Sequence, residues 1–149
     1  MALLEDINAK LKEAMLARNQ FLTGVLRDLK SAFTYEEVAK QKRDTGLNDE
    51  EMQAVIAREV KKRDDAIEIY QSAGDKERAD KEIAEKEILM GFLPKQLTDD
   101  ELKEIIEKVI KDGGFTISYM GRVIGAVKAE VGARADGAKI AGLVKETLK

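Results

Sequence analysis

Apolar residues recur along this chain three and four positions apart and nowhere alternate with period two for long enough to make a strand. Leu22, Val25, Leu26, Leu29 and Phe33 show the rule most plainly, because that spacing lines one face of a helix and leaves the other to water. Phe115-Thr116-Ile117 is the one stretch that could be extended, and it is weak. The pattern predicts an all-α protein.

Seven helical segments follow from the spacing and from capping residues. The first runs from about Leu4 to Arg18, with Leu4, Ile7, Leu11, Met15 (or Ala14) and Leu16 near one face. The second starts near Gln20 and fades into the polar stretch Glu36 to Arg43 before a turn at Asp44-Thr45-Gly46. In the third and longest, Asn48 and Glu51 form a capping box, Met52, Val55, Ile56, Val60, Ile67 and Tyr70 make the apolar stripe, and Gly74 supplies a left-handed stop. Asp75 caps the fourth, whose narrower stripe is Ala79, Ile83, Ala84, Ile88 and Leu89. That helix ends at Gly91-Phe92-Leu93-Pro94, since proline has no amide to donate and disfavours helical geometry in the residue before it.

Pro94 is the best boundary in the chain. Residues 1–93 read as an N-terminal domain of about four helices, 94–97 as a linker and 98–149 as a small three-helix C-terminal domain. In the latter, Thr98-Asp99-Asp100-Glu101 is a capping box with its acids at the positive end of the helix dipole. Leu102, Ile105, Ile106, Val109 and Ile110 then face inward as far as Gly113-Gly114. The sixth helix, about Ser118 to Val131, turns Met120, Val123, Ile124, Val127 and Val131 inward; the seventh, capped by Asp136, carries Ile140, Leu143, Val144 and Leu148.

Composition closes off most familiar chemistry. The 149 residues include no His and no Cys, which excludes a Ser-His-Asp triad, a Cys-His dyad, thiolate chemistry, disulfides and the usual zinc sites. Neither Gly-rich phosphate-binding loop occurs. Ser31, Ser72 and Ser118 have no His base, and Lys30 beside Ser31 faces another direction on its helix. Asp49-Glu50-Glu51 and Asp99-Asp100-Glu101 sit where helix dipoles already account for them, so no metal, cofactor or catalytic residue is expected. Met1-Ala2-Leu3-Leu4-Glu5 turns polar at once, unlike a signal peptide, and no apolar run reaches the roughly 18 residues that span a membrane. A soluble, cytoplasmic protein is expected.

The net charge of −3 hides an uneven distribution. Residues 1–93 carry 16 basic and 20 acidic side chains, and residues 94–149 carry 10 and 9. From 113 to 149, Arg122, Lys128, Arg134, Lys139, Lys145 and Lys149 face only Glu130, Asp136 and Glu146. Lys40-Gln41-Lys42-Arg43 and Arg58, Lys61, Lys62 and Arg63 are flanked by acids and read first as solvated ion pairs, second as an electrostatic footprint for nucleic acid. Gly121 and Gly125 share a stripe of the sixth helix, where each costs about 1 kcal/mol relative to alanine. Close approach of a neighbouring helix or of a ligand backbone would explain them. Gly132-Ala133-Arg134-Ala135-Asp136-Gly137 is a turn with a glycine stop and an aspartate cap, leaving Arg134 at a loop tip for bidentate phosphate contacts.

Five segments in register resemble the YqeY family. They are Leu26-Arg27-Asp28-Leu29-Lys30-Ser31-Ala32, Glu59-Val60-Lys61-Lys62-Arg63, Phe92-Leu93-Pro94-Lys95-Gln96-Leu97 with Asp100-Glu101-Leu102, Met120-Gly121-Arg122-Val123, and Arg134-Ala135-Asp136-Gly137. Tyr119 stands where an acid often precedes the Met-Gly pair, and Ala133 where glycine is usual. The resemblance implies a C-terminal domain similar to the tail of the GatB subunit of glutamine-dependent tRNA amidotransferase, a tail also related to that of some glutaminyl-tRNA synthetases and one that contacts tRNA. It implies tRNA as partner, with components of the amidotransferase or of an aminoacyl-tRNA synthetase as further partners. Arg122, Lys128, Arg134 and Lys139 would then grip phosphates, Gly121, Gly125 and Gly137 would permit close approach, and Met120, Asp136 and Pro94 would be structural. The alternatives are carbon–nitrogen ligase activity with glutamine as amide donor, exerted in a complex, and a protein–protein adaptor built on the long third helix.

Overall fold

The computed structural model of the chain describes residues 2–148, apart from the side chain of Ile117. Lys149, one of the tail bases, and Met1 lie outside the described residues. Those described form seven α-helices and no strand, so the protein is all-α; Phe115 and Thr116 are coil and lead into a 3-10 turn at Ile117–Tyr119. The chain divides into two compact units between Leu93 and Pro94.

The first unit holds α1 (Ala2–Leu16), α2 (Gln20–Ala39), α3 (Asp49–Ser72) and α4 (Lys76–Met90). Each later start is capped by a side chain. Asn19 accepts from the Leu22 amide at 3.0 Å and Asp75 from that of Arg78 at 3.1 Å. Asn48 and Glu51 exchange bonds of 2.8 and 3.1 Å in the expected capping box. Ile7, Val25, Leu29, Phe33, Met52, Val55, Ile56, Val60 and Leu89 form the core, closed by Leu47 from the turn before α3.

Two stripes depart from the spacing. On α1, Ile7 and Ala14 are buried two turns apart, whereas Leu16 is 77% exposed and Leu4 and Met15 also face outward. The chain turns at Arg18, with φ of 56°, and α1 packs on α2 and, less extensively, on α3. On α3 the buried stripe stops at Val60; Ile67 and Tyr70 are half-buried, and the first core takes no residue from 61 to 87. There α3 and α4 are chiefly a pair joined through Gly74, whose φ of 72° makes the left-handed stop. Two helices alone cannot close an apolar face on all sides.

The second unit holds α5 (Asp99–Gly113), α6 (Met120–Val131) and α7 (Gly137–Thr147), each packed on both others. Its core is Leu102, Ile106, Val123, Val127, Val131, Ile140, Val144 and Leu148. Thr98 and Glu101 complete their capping box, and Gly114 ends α5 with φ of 61°. Phe115 folds its ring back over Gly113, where a side chain would collide with it. Because residues 117–119 form the 3-10 turn, α6 starts at Met120 rather than Ser118. The segment 94–97 is fastened to this unit: the Leu97 amide donates to the Arg134 carbonyl at 2.8 Å, and Gln96 Nε2 donates to the carbonyls of Ala133 and Pro94 at 2.9 Å.

Candidate nucleic-acid interface

Helical spacing sorts α6 into two faces. Val123, Val127 and Val131 point into the core, and Met120 and Ile124 pack beside them. Gly121, Arg122, Gly125, Lys128 and Ala129 lie exposed on the opposite side, with Gly121, Gly125, Lys128 and Ala129 on one stripe. A Cβ added to Gly121 or Gly125 would meet nothing within 4 Å. No neighbouring helix therefore comes close to either glycine, and that explanation of the pair falls. What remains is an open strip of helix backbone facing water.

The four candidate bases are held in four different ways. Arg122 lies over the Tyr119 ring, its guanidinium carbon 5.4 Å from the centroid, and makes no ion pair among the described residues. Lys128, in the last turn of α6, also has no ion pair there; its Cε and Nζ reach to 3.3 and 3.4 Å from where a Gly137 side chain would begin. The close approach that Gly137 permits is thus already taken by Lys128. Arg134 is not free at a loop tip. Its Nε donates to the Val131 carbonyl at 3.2 Å and its Nη2 to that of Glu130 at 3.1 Å, so the guanidinium satisfies orphan carbonyls at the end of α6. Lys139 pairs with Asp99 at 2.6 Å, and that hydrogen bond holds the Asp99 carboxyl below its ordinary value.

Asp136 caps α7 by accepting from the Ala138 amide at 3.4 Å, and Met120 packs on the second core. Lys145 is exposed on α7. The fold thus leaves Arg122 and Lys128 on the exposed face of α6 beside the open glycines, and commits Arg134 and Lys139 to internal partners.

In the first unit the bases of the two clusters, Arg43 excepted, meet carboxylates. Lys42 sits 2.8 Å and Lys40 3.3 Å from Glu51, which is drawn down to about 2 chiefly by the Lys42 hydrogen bond and then by the Asn48 amide. Arg58 reaches Glu36 at 2.7 Å, Lys62 reaches Glu59 at 2.9 Å, and Arg63 bridges Glu59 and Glu85 at 3.3 and 3.4 Å. Burial, with the Glu82 charge behind it, pushes the Glu85 carboxyl up. A shallow groove against α1 and α2 is lined by Asn8, Leu11, Lys12, Met15, Leu16 and Lys30, a set without a hydroxyl, thiol or carboxylate.

Tyr119 was visible in the sequence only as a departure from a motif. Its three-residue offset from Arg122, which on a helix brings two side chains together, was the signal available. Compared with known families, residues 4–148 match the model of a family described as Yqey-like protein. No curated protein matches the chain.

Proposed function

The chain belongs to the YqeY family, and from that premise we propose that its second unit binds folded RNA, tRNA in the first place, as an accessory module without a catalytic centre of its own. One observation supports this most directly: the exposed face of α6 carries two bases, Arg122 and Lys128, with no carboxylate partner among the described residues, beside two glycines open to water. Bare backbone lets a phosphate–sugar chain come close, and unpaired bases answer its charge without first giving up an ion pair. Such contacts read shape rather than base edges, as folded RNA requires. With tRNA as ligand, the chain works in the cytoplasm, with amidotransferase or aminoacyl-tRNA synthetase components as its natural associates.

The test is a mobility shift with unfractionated tRNA across a salt series. Arg122→Glu with Lys128→Glu should abolish the shift at about 0.1 M salt, and each neutralised contact should lower the salt slope by about 1. Lys61→Glu with Lys62→Glu, which removes bases already facing carboxylates, should leave it within about twofold. An undiminished shift in the α6 double variant removes the second unit from the account. Ammonia release from glutamine by the purified chain would overturn the non-catalytic part.

A second reading, a protein–protein adaptor, is favoured by Ile69 on α3, which is 66% exposed on a helix pair outside the first core. Co-purification of a protein partner with no nucleic-acid absorbance in the eluate would support it.

A further inference from the structure

Phe115, Tyr119 and Arg122 meet where the loop after α5 leads into α6. Phe115 is half-buried against the second core, and its ring centroid lies 5.9 Å from that of Tyr119 at an interplanar angle of 53°. Tyr119 is 45% exposed, and the Arg122 guanidinium carbon stands 5.4 Å from its centroid. We propose that this cluster is a stacking seat for one unpaired nucleobase of RNA, with the Tyr119 ring as platform and the Arg122 guanidinium as a second plane. The inference rests on the RNA-binding reading and adds to it the kind of nucleotide that is recognised.

Four observations converge on the seat. An aromatic ring whose only task was core packing would be covered, and Tyr119 keeps nearly half its surface in water. Tyr119 also occupies the N-cap of α6 without making a cap hydrogen bond, whereas Asn19, Asn48, Asp75, Thr98 and Asp136 each accept one at the start of their own helices. The 3-10 turn runs directly into α6, so this start carries no side-chain cap and the aromatic side chain has no capping task. No acidic residue lies between Asp112 and Glu130, so that stretch holds no charge of its own to repel a phosphate or draw Arg122 away. Finally, Gly121 and Gly125 begin two residues beyond the ring and leave bare backbone where the rest of the strand would run.

The chemistry matches one class of ligand. Every nucleobase has a π-face that stacks on an aromatic ring or on a guanidinium plane, and an unpaired base offers that face without the cost of opening a duplex. Phe115 supports the Tyr119 ring from within the core, so less freedom is lost when a base lands on it. A stacked base needs the ring and not the phenol hydroxyl, which separates this seat from a hydrogen-bonding role.

The experiment measures binding of the full chain to two probes, unfractionated tRNA and a perfectly paired RNA duplex, at fixed salt. Tyr119→Leu, which keeps apolar bulk but has no π-face, should weaken tRNA binding by about 5- to 100-fold. Tyr119→Phe should bind tRNA as the parent does, to within about twofold, since stacking survives. The salt slope should stay unchanged in both, because no phosphate contact is lost. For the duplex, which has no unpaired base, parent and Tyr119→Leu should be equal. Helix content and melting temperature of the two variants, by circular dichroism, should agree. Parental tRNA affinity in Tyr119→Leu overturns the seat and leaves the RNA-binding reading standing; equal losses for tRNA and duplex also overturn it, pointing to a general structural role. Failure of the parent to bind either probe removes both the seat and that reading.

Discussion

Most basic side chains between Lys40 and Arg63 in the first unit meet carboxylates; in the second unit Arg134 meets backbone, Arg122 an aromatic ring, Lys128 no acid among the described residues, and Lys139 a carboxylate. Lys40, Lys42, Arg58, Lys61, Lys62, Arg63 and Lys86 all lie within ion-pair distance of Asp or Glu. Among the described residues the second unit has one such pair, Lys139 with Asp99, while Arg134 serves carbonyls and Arg122 and Lys128 pair with no acid. Net charge describes this contrast poorly, because what a polyanion meets is the set of bases that need not leave a partner first. Exchanging an exposed ion pair for a phosphate returns about what it gives up, and such pairs are worth about 0–1 kcal/mol to begin with. An unpaired base makes the contact as a net gain, with counterion release from the RNA added. A chain that is acidic overall can therefore carry an RNA interface, on its less acidic unit.

The largest effect expected is on the cores. Ile106 in the second unit and Ile56 in the first are both fully buried. Truncating either to alanine should cost about 2–5 kcal/mol, through lost transfer energy and the cavity left behind. The readouts should differ: on heating, Ile106→Ala should lose tRNA binding well before the parent, while Ile56→Ala should lose helix signal early and keep its binding. Equal early loss of binding in both variants would break the assignment of RNA to one unit.

A smaller effect separates structural from ligand-facing arginine. Arg134→Ala removes two charge-assisted hydrogen bonds to the last carbonyls of α6, and its half-buried setting places the cost near 1–2 kcal/mol. Arg134→Lys should recover little of it, since one ammonium cannot reproduce the planar fork. Both variants, while folded, should bind tRNA as the parent does. A large affinity loss at full helix content would instead return Arg134 to the interface.

Acid titration tests the charge arrangement of the first unit. Glu51, ordinarily near 4.5, is held at about 2 in the folded chain by Lys42 and the Asn48 amide. A carboxyl whose pKa falls on folding contributes stability that is complete above its unfolded value and is lost as pH falls through the folded one. Stability should decline between about pH 4.5 and 2, and Glu51→Gln should flatten that decline in acid-dependent melts. Glu85 acts in the opposite sense. Burial raises its pKa, so the folded chain binds the proton more tightly and the Glu85 contribution weakens as pH rises from 4.5.

Local signals reached the backbone more surely than the surface. The capping boxes at Asn48 and Thr98, the caps at Asp75 and Asp136, and the stops at Gly74 and Gly114 are decided within a few residues, and each lies where its sequence put it. Stripe occupancy depends on which neighbour arrives: Leu16 and Tyr70 fit the helical period, yet one is exposed and the other half-buried, while Leu47 is buried from a turn that periodicity ignores. The proposed binding face is the least legible part. Arg134 and Arg122 are alike as letters, and only the third dimension ties the first to the end of α6 and rests the second on Tyr119.

The smallest change is the most discriminating for the glycines. In an exposed helix, alanine is favoured over glycine by up to about 1 kcal/mol, because glycine loses more backbone freedom on folding. A methyl at Gly121 or Gly125 meets nothing within 4 Å, so Gly121→Ala and Gly125→Ala should each stabilise the second unit by about 0.5–1 kcal/mol. Gly137→Ala should gain less, since its methyl would meet the end of the Lys128 side chain at 3.3 Å and that flexible lysine must shift by a few tenths of an ångström. If the two α6 glycines admit the RNA backbone, both stabilised variants should bind tRNA more weakly than the parent. Stabilisation with unchanged affinity would mean that the open strip of α6 carries no ligand and that Arg122 and Lys128 act without it.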